Sequence, residues 1–207
     1  MSFTQILLAI SLFTSSCITT GNEALNKEGQ LTIQHRATLI VYLSRTNNTK
    51  AIAGIIQKNV GGKLVALELG KPYSIDYQQT VQKVAEENET GYLPPLKTKI
   101  DSIEKYDVVF VGFPTWGMQL PPPMKSFLHQ YDFKGKTVIP FNTNAGYGIG
   151  ASFKAVKDLC PNSIVLEGFE IKGGVERDGV LFVMEGEKKK EAESAVVKWL
   201  KKIKQIQ

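Results

Sequence analysis

Short apolar runs alternate with longer amphipathic stretches along most of the chain. The apolar runs are rich in β-branched residues and predict strands over residues 37–44, 64–69, 107–113, 137–143 and 163–171. Helical spacing of apolar positions predicts helices over residues 49–58, 77–87, 122–130, 149–159 and 187–203. Strands and helices that alternate in this way form a parallel sheet covered on both faces. We therefore expect an α/β fold, a doubly wound five-stranded parallel sheet within a three-layer α/β/α sandwich.

The N-terminal segment lacks this alternation. An apolar stretch over residues 6–13 is followed by small polar residues and then by Cys17. The stretch is too short to span a bilayer, but its length suits the hydrophobic region of a secretory signal. Small residues directly before a cysteine resemble the cleavage site of bacterial lipoproteins, in which the cysteine becomes the lipid-modified N-terminus. A plain cleaved signal with an incidental cysteine, or a misassigned start codon, is the alternative.

These features predict three regions in the chain. We expect a signal peptide over residues 1–17 with lipidation at Cys17, a polar tether over residues 18–36, and one folded domain over residues 37–207. The expected location is that of an exported bacterial lipoprotein, anchored in a membrane through Cys17 and facing the periplasm or the cell surface.

Composition agrees with a single globular domain. The chain has 207 residues, of which 43% are hydrophobic and 22% are charged. The net charge of +5 is spread along the chain, and its densest runs, residues 188–190 and 198–204, are expected on the solvated face of the last helix. No nucleic-acid motif accompanies these lysines, so we expect no nucleic-acid partner. Attraction to an anionic membrane surface is the alternative role for them.

The positions of the histidines and cysteines predict neither a metal site nor a catalytic thiol. His35 and His129 stand apart from each other, so no metal site is predicted. If Cys17 is acylated, Cys160 has no cysteine partner, and we expect it to be a small buried thiol rather than a catalytic one.

The loop after the first strand is rich in hydrogen-bond donors. It consists of Ser44, Arg45, Thr46, Asn47, Asn48 and Thr49, and a helix follows at once. The N-terminus of a helix carries about half a positive charge and free N–H groups, so this loop predicts a phosphate site. The alternative is that one of its side chains only caps the helix.

Two further loops carry aromatic residues and glycines. The loop after the third strand contains Pro114, Thr115, Trp116 and Gly117, and the loop after the fourth contains Thr143, Asn144, Ala145, Gly146, Tyr147 and Gly148. Aromatic rings stack on planar ligands, and glycines let backbone amides approach them. The alternative for Trp116 is packing beneath its own loop. The carboxyl ends of parallel strands meet at one edge, so the three loops together predict a site for flavin mononucleotide (FMN).

The same loops resemble those of a known family. Residues 44–53 look like the phosphate loop of flavodoxins, and residues 114–117 with 121–128 look like their flavin-stacking loop. Residues 132–141 and the glycine-rich loop beyond them are similar to a short-chain flavodoxin-like family of bacteria. The resemblance implies a flavodoxin-like fold and non-covalent FMN, with its phosphate on residues 44–49, its ring against Trp116 and Tyr147, and its edge on residues 143–148.

The chain departs from the pattern of that family at two places. Asn47 stands where the family usually has glycine, and asparagine also tolerates a left-handed backbone. The third loop commonly reads Thr-His-Gly-Gly-Ser-Gly in the family, so Asn144 replaces a histidine and Tyr147 adds a ring.

The resemblance implies a flavoprotein that transfers electrons. We expect an electron carrier whose partner is a redox protein or a quinone. The alternatives are an FMN-dependent NAD(P)H:quinone or acceptor oxidoreductase, and a binding lipoprotein that has lost the flavin.

Overall fold

The computed structural model describes residues 36–207 together with two short strands that precede them. These strands, β1 (Glu23–Leu25) and β2 (Leu31–Ile33), pair with each other in antiparallel orientation. Both lie inside the segment predicted as a tether. The predictions of a signal peptide and of lipidation at Cys17 lie outside the described residues. Within the described part of the chain, no helix has both the length and the apolar composition needed to cross a membrane.

A parallel sheet forms the centre of the unit that spans residues 36–207. Its strands are β3 (Thr38–Tyr42), β4 (Lys63–Ala66), β5 (Val108–Pro114), β6 (Thr137–Asn144), β7 (Ile164–Val165) and β8 (Phe169–Lys172). The spatial order is β4-β3-β5-β6, and both β7 and β8 pair with β6. Every pair in this sheet is parallel. The predicted doubly wound sheet is confirmed, and its order reverses between β3 and β5, which is where such folds bind ligands.

The fifth predicted strand is wrong in one respect, because the structure divides it into β7 and β8. The interruption covers residues 166–168. The ring of Phe153 lies against the backbone of Gly168, so close that a Cβ added there would be 2.4 Å from the ring. This contact between α4 and the strand backbone lies within the interruption, and it joins residues that sequence periodicity does not relate.

In the unit that spans residues 36–207, four α-helices connect successive strands and a fifth follows β8. They are α1 (Asn48–Val60), α2 (Tyr77–Thr90), α3 (Pro122–Gln130), α4 (Ser152–Leu159) and α5 (Gly186–Lys202). All five lie where apolar spacing predicts helices. α4 begins three residues later than predicted, because the glycine-rich loop continues through Gly150, whose φ of 54° lies outside the helical region.

The core consists of two apolar clusters, one on each face of the sheet. Successive strand residues point to opposite faces, so Leu39 and Val41 join one cluster while Ile40 and Tyr42 join the other. Residues of α3 and α4 complete the first cluster, and residues of α1 and α5 complete the second. The predicted three-layer sandwich is therefore confirmed.

Candidate functional site

The loop between β3 and α1 leads directly into the start of a helix. Its residue Asn47 adopts the left-handed conformation, with φ 63° and ψ −2°, and no side chain caps the helix there. Further along, the backbone N–H of Lys50 donates to Ser44 Oγ at 3.3 Å. A helix start without a side-chain cap keeps backbone donors for another acceptor. Asn47 therefore does not cap the helix, Ser44 occupies one first-turn N–H, and the phosphate site stays a prediction.

Two buried side chains of this loop hold it against other segments. Asn48 Nδ2 donates to the carbonyl of Leu181 at 2.6 Å, and Asn48 Oδ1 accepts from the N–H of Val183 at 3.1 Å. The hydroxyls of Thr49 and Thr143 lie 2.8 Å apart. These contacts fix the loop to the glycine-rich loop and to the segment after β8, so the two side chains position the loop.

Arg45 also binds protein groups. Its Nε donates to Glu176 Oε1 at 2.6 Å, and its Nη2 donates to the carbonyl of Ile75 at 2.7 Å. Its Nη1 donates to the carbonyl of Ser74 at 2.8 Å. The guanidinium thus connects three segments across the groove, and a role for Arg45 in holding a cofactor stays a prediction.

Trp116 lies at the base of a tight turn. Its backbone exchanges hydrogen bonds with Gln119 at 3.3 and 3.0 Å, and the two residues between them, Gly117 and Met118, have φ of 56° and 58°. Positive φ at both central positions defines a type I′ turn, which explains a glycine there. The half-buried Trp116 ring meets Tyr73 edge-on, with centroids 5.5 Å apart. It therefore packs against protein on one side while also lining the groove.

Behind Trp116, Tyr73 is itself fixed. Its hydroxyl donates to the buried Glu87 carboxylate. Burial raises the pKa of Tyr73 above its ordinary value, and the adjacent Glu87 raises it further, so the phenol keeps its proton. This bond restricts the Tyr73 ring and thereby the orientation of Trp116.

Asn144 organises the glycine-rich loop. Its Oδ1 accepts from the backbone N–H groups of Gly146 at 2.8 Å and Gly148 at 3.3 Å. Its Nδ2 donates to Asn142 Oδ1 at 3.2 Å and to Glu170 Oε2 at 3.1 Å. The Asn144 amide thus shapes this loop from within.

Tyr147 extends from the same loop into solvent. Its side chain is 66% exposed, and Arg177 Nη2 lies 3.4 Å from its hydroxyl. The two neighbouring loops are joined at Thr115, whose hydroxyl donates to the carbonyl of Gly148 at 3.1 Å. Such an exposed ring has surface free for a ligand.

Three adjoining cavities form a groove at the carboxyl edge of the sheet, and Tyr77, Thr115 and Glu176 line all of them. One of about 110 Å³ lies between the phosphate loop and the glycine-rich loop. A second of about 230 Å³ lies between Met118 and Tyr147, and a third of about 390 Å³ lies between α2 and Trp116. The structure thus brings the three predicted loops together.

The site predicted from the sequence does not include two parts of the groove. Tyr77 begins α2, and Glu176 and Arg177 follow β8 in a short 3₁₀ turn. The adjacent glycines Gly173 and Gly174, directly after the last strand, are the one sequence signal for the second part. No comparable signal marks Tyr77.

The strand order and the position of the groove define an open α/β protein of the kind that binds nucleotide-like ligands at the strand switch. The sequence profile of the family described as flavodoxin matches residues 37–186, and the chain belongs to that family. No curated protein matches the chain.

Several solved structures are similar to this one. A flavoprotein from Bacteroides eggerthii is 29% identical, with a TM-score of 0.66 over 81% of this chain and 98% of its own. A flavoprotein from Bacteroides uniformis is 25% identical, with a TM-score of 0.66 over 80% and 98% of the two chains. A flavoprotein from Lactobacillus acidophilus, described in complex with FMN, is 22% identical, with a TM-score of 0.58 over 70% and 98%. The predicted family and fold are confirmed.

Proposed function

We propose that this protein binds FMN without a covalent bond and transfers electrons through it. The observation that carries the proposal is the meeting of the start of α1, Trp116 and Tyr147 in one groove at the strand switch. Membership of the flavodoxin family supports it, as does the solved flavoprotein that is described in complex with FMN. FMN would supply one-electron and two-electron chemistry, and the protein would control its orientation and access.

The residues present fit such a ligand. The small cavity contains Thr46, Thr49 and Thr143 and adjoins the start of α1, where a phosphate would meet backbone donors. The neighbouring cavity is lined by Tyr147 and Met118, and Trp116 lines the small cavity that adjoins it, so a flat apolar ring would lie across the boundary of the two. The ordered loops and buried hydrogen bonds already described keep both cavities formed.

A matched pair of flavins tests the proposal. Purified protein should turn yellow with FMN, quench its fluorescence and bind it more tightly than riboflavin, because only FMN carries the phosphate. Folded protein that leaves the fluorescence of saturating FMN unquenched and stays colourless would contradict the redox function.

An exported, lipid-anchored form of this carrier is a separate part of the proposal. It rests on the apolar stretch before Cys17 and on that cysteine. The partner would be a redox protein or a quinone at the membrane. Cys17→Ser should release the protein from the membrane fraction of its host, whereas Cys160→Ser should leave its distribution unchanged.

An FMN-dependent oxidoreductase is the second candidate, favoured by the large cavity beside Trp116. Steady-state oxidation of NAD(P)H with a quinone separates the two candidates. A carrier should be slow in this assay without a reductase, and rapid turnover by the protein alone would favour the enzyme.

A further inference from the structure

The cavity of about 390 Å³ beside Trp116 has the form of a ligand slot. One wall is the face of α2 that carries Val81, Val84 and Ala85, and Trp116 lies in the opposite wall. Asn88 and Gln119 supply polar groups. Sites for small organic molecules are typically concave, about 300–1,000 Å³ in volume and mostly apolar, with a few placed polar groups. The slot meets each of these criteria.

Lys125 determines which polar atoms face the slot. Its ammonium lies 2.9 Å from Asn88 Oδ1 and 3.5 Å from Gln119 Oε1. An ammonium only donates hydrogen bonds, so both amide oxygens turn towards it. The two amide nitrogens keep their hydrogens for other acceptors. Partial burial lowers the pKa of Lys125, in agreement with a position behind the amides rather than in solvent. The polar part of the slot therefore favours a ligand that accepts hydrogen bonds.

The charges around the slot disfavour an anionic ligand. Arg45 is paired with Glu176, and Lys125, which donates to the two neutral amides, does not line the slot. Glu89 also lines the slot and contributes a negative charge. No unpaired cation is found among the described residues that line it. The pyrophosphate of a nicotinamide dinucleotide would lack a counter-charge here, whereas a neutral carbonyl compound needs none.

We propose that this slot binds a quinone, with the apolar ring between α2 and Trp116 and a carbonyl oxygen accepting from Asn88 or Gln119. The slot shares Thr115, Trp116 and Gly117 with the proposed FMN site, so the quinone would lie next to the flavin. The role of the quinone as an electron acceptor rests on the proposed function, whereas quinone binding requires only the slot.

Calorimetric titration with 2,3-dimethyl-1,4-naphthoquinone tests the proposal, on the full chain with and without FMN. The methyl groups block addition of thiols to the ring, so binding is measured without adducts. Ala85→Phe fills the slot and should weaken quinone binding by about tenfold or more. Gln82→Phe is the matched control, because Gln82 is exposed on the same helix but does not line the slot. Both variants should bind FMN within about twofold of the unsubstituted protein.

A second variant tests the polar part of the slot. Asn88→Leu keeps the size of the side chain but removes its donors, and it should weaken quinone binding several-fold. NADH should not displace the quinone. Displacement by NADH, equal quinone affinity in Ala85→Phe, or no quinone binding by folded protein would overturn the proposal.

FMN binding, measured beside quinone binding, separates the proposed flavin function from the proposed quinone slot. If Ala85→Phe weakens FMN and quinone together, the slot belongs to the flavin, and the quinone site is wrong while the flavin function stands. If the protein binds the quinone in the slot but not FMN, the flavin function fails and the ligand site stands.

Discussion

Arg45 and Glu176 form an ion pair across the groove, with Arg45 Nε 2.6 Å from Glu176 Oε1. The two side chains are only 19% and 21% exposed. The pair joins the phosphate loop to the turn after β8, and it places a carboxylate in the wall of the cavity that the phosphate would enter. The ion pair therefore makes the groove more rigid, but its carboxylate repels an anionic ligand.

Removing the carboxylate charge should strengthen phosphate binding. In Glu176→Gln we expect FMN to bind roughly fivefold more tightly, since unit charges about 8 Å apart interact by about 1 kcal/mol at an effective dielectric constant of about 40, between the values for a protein surface and for water. Riboflavin affinity should not change, because riboflavin carries no phosphate. Fluorescence titration with both flavins measures this ratio. Glu191→Gln, at an exposed ion pair with Lys188 on α5, is the control. Equal tightening of both flavins would contradict the electrostatic explanation.

Sequence periodicity predicts most of the fold because burial in strands and helices follows local repeats. It also predicts the convergence of the three loops, since parallel strands place their carboxyl ends at one edge. The partner of Arg45 lies 131 residues away and has no local signal. The position of Tyr77 in the groove and the contact between Phe153 and Gly168 also have no local signal. These features depend on packing between distant segments, which local patterns do not describe.

The indole of Trp116 should lower the reduction potential of bound FMN. An electron-rich ring beside the isoalloxazine disfavours its reduced, anionic form. In Trp116→Ala we expect the two-electron midpoint to rise by about 10–30 mV, since an aromatic pair contributes about 0.5–1.5 kcal/mol and 30 mV corresponds to about 1.4 kcal/mol. Spectroscopic redox titration measures the midpoint. Trp199→Phe, on α5 against Phe110 and Phe169, should leave it unchanged. The same midpoint in Trp116→Ala would refute the stacking role.

The left-handed backbone of Asn47 should tolerate glycine but not a β-branched residue. Its φ is 63°. In Asn47→Val we expect the free energy of unfolding to fall by about 1–2 kcal/mol, whereas Asn47→Gly should change it by less than about 0.5 kcal/mol. Lys50→Val, at an exposed position in the first turn of α1, controls for the helical cost of valine. Urea denaturation measures all three variants. A similar loss in Asn47→Gly and Asn47→Val would contradict the conformational explanation.

The ring of Phe141 on the neighbouring strand should leave room only for glycine at position 112. The two residues are partners in the β5–β6 ladder, and a Cβ added to Gly112 would lie 2.0 Å from Phe141 Cζ. Gly112→Ala should therefore lower the free energy of unfolding by about 1–3 kcal/mol through overpacking. Adding Phe141→Leu removes the ring and should recover part of that loss in a double-mutant cycle. Strictly additive losses would show that the ring is not the cause.

The buried thiol of Cys160 should make the protein less stable at alkaline pH. Cys160 is 3% exposed, and desolvation raises its pKa from 9.0 to about 11. The folded protein then holds the thiol proton more tightly than the unfolded chain does. Its contribution to stability is therefore present below pH 9 and is lost as the pH rises towards 11.

The size of this effect follows from the shift in pKa. A difference of about two in the pKa of Cys160 between the folded and the unfolded protein corresponds to at most about 3 kcal/mol of unfolding free energy. Cys160→Ala cannot titrate at this position, so the difference in unfolding free energy between the two proteins should be constant below pH 8 and should shrink between pH 9 and pH 11. Cys17 is common to both and cancels from the difference, as do the tyrosines and lysines. Urea denaturation at a series of pH values measures it, and a difference that stays constant to pH 11 would mean that the thiol ionises as easily in the folded protein as in the unfolded chain.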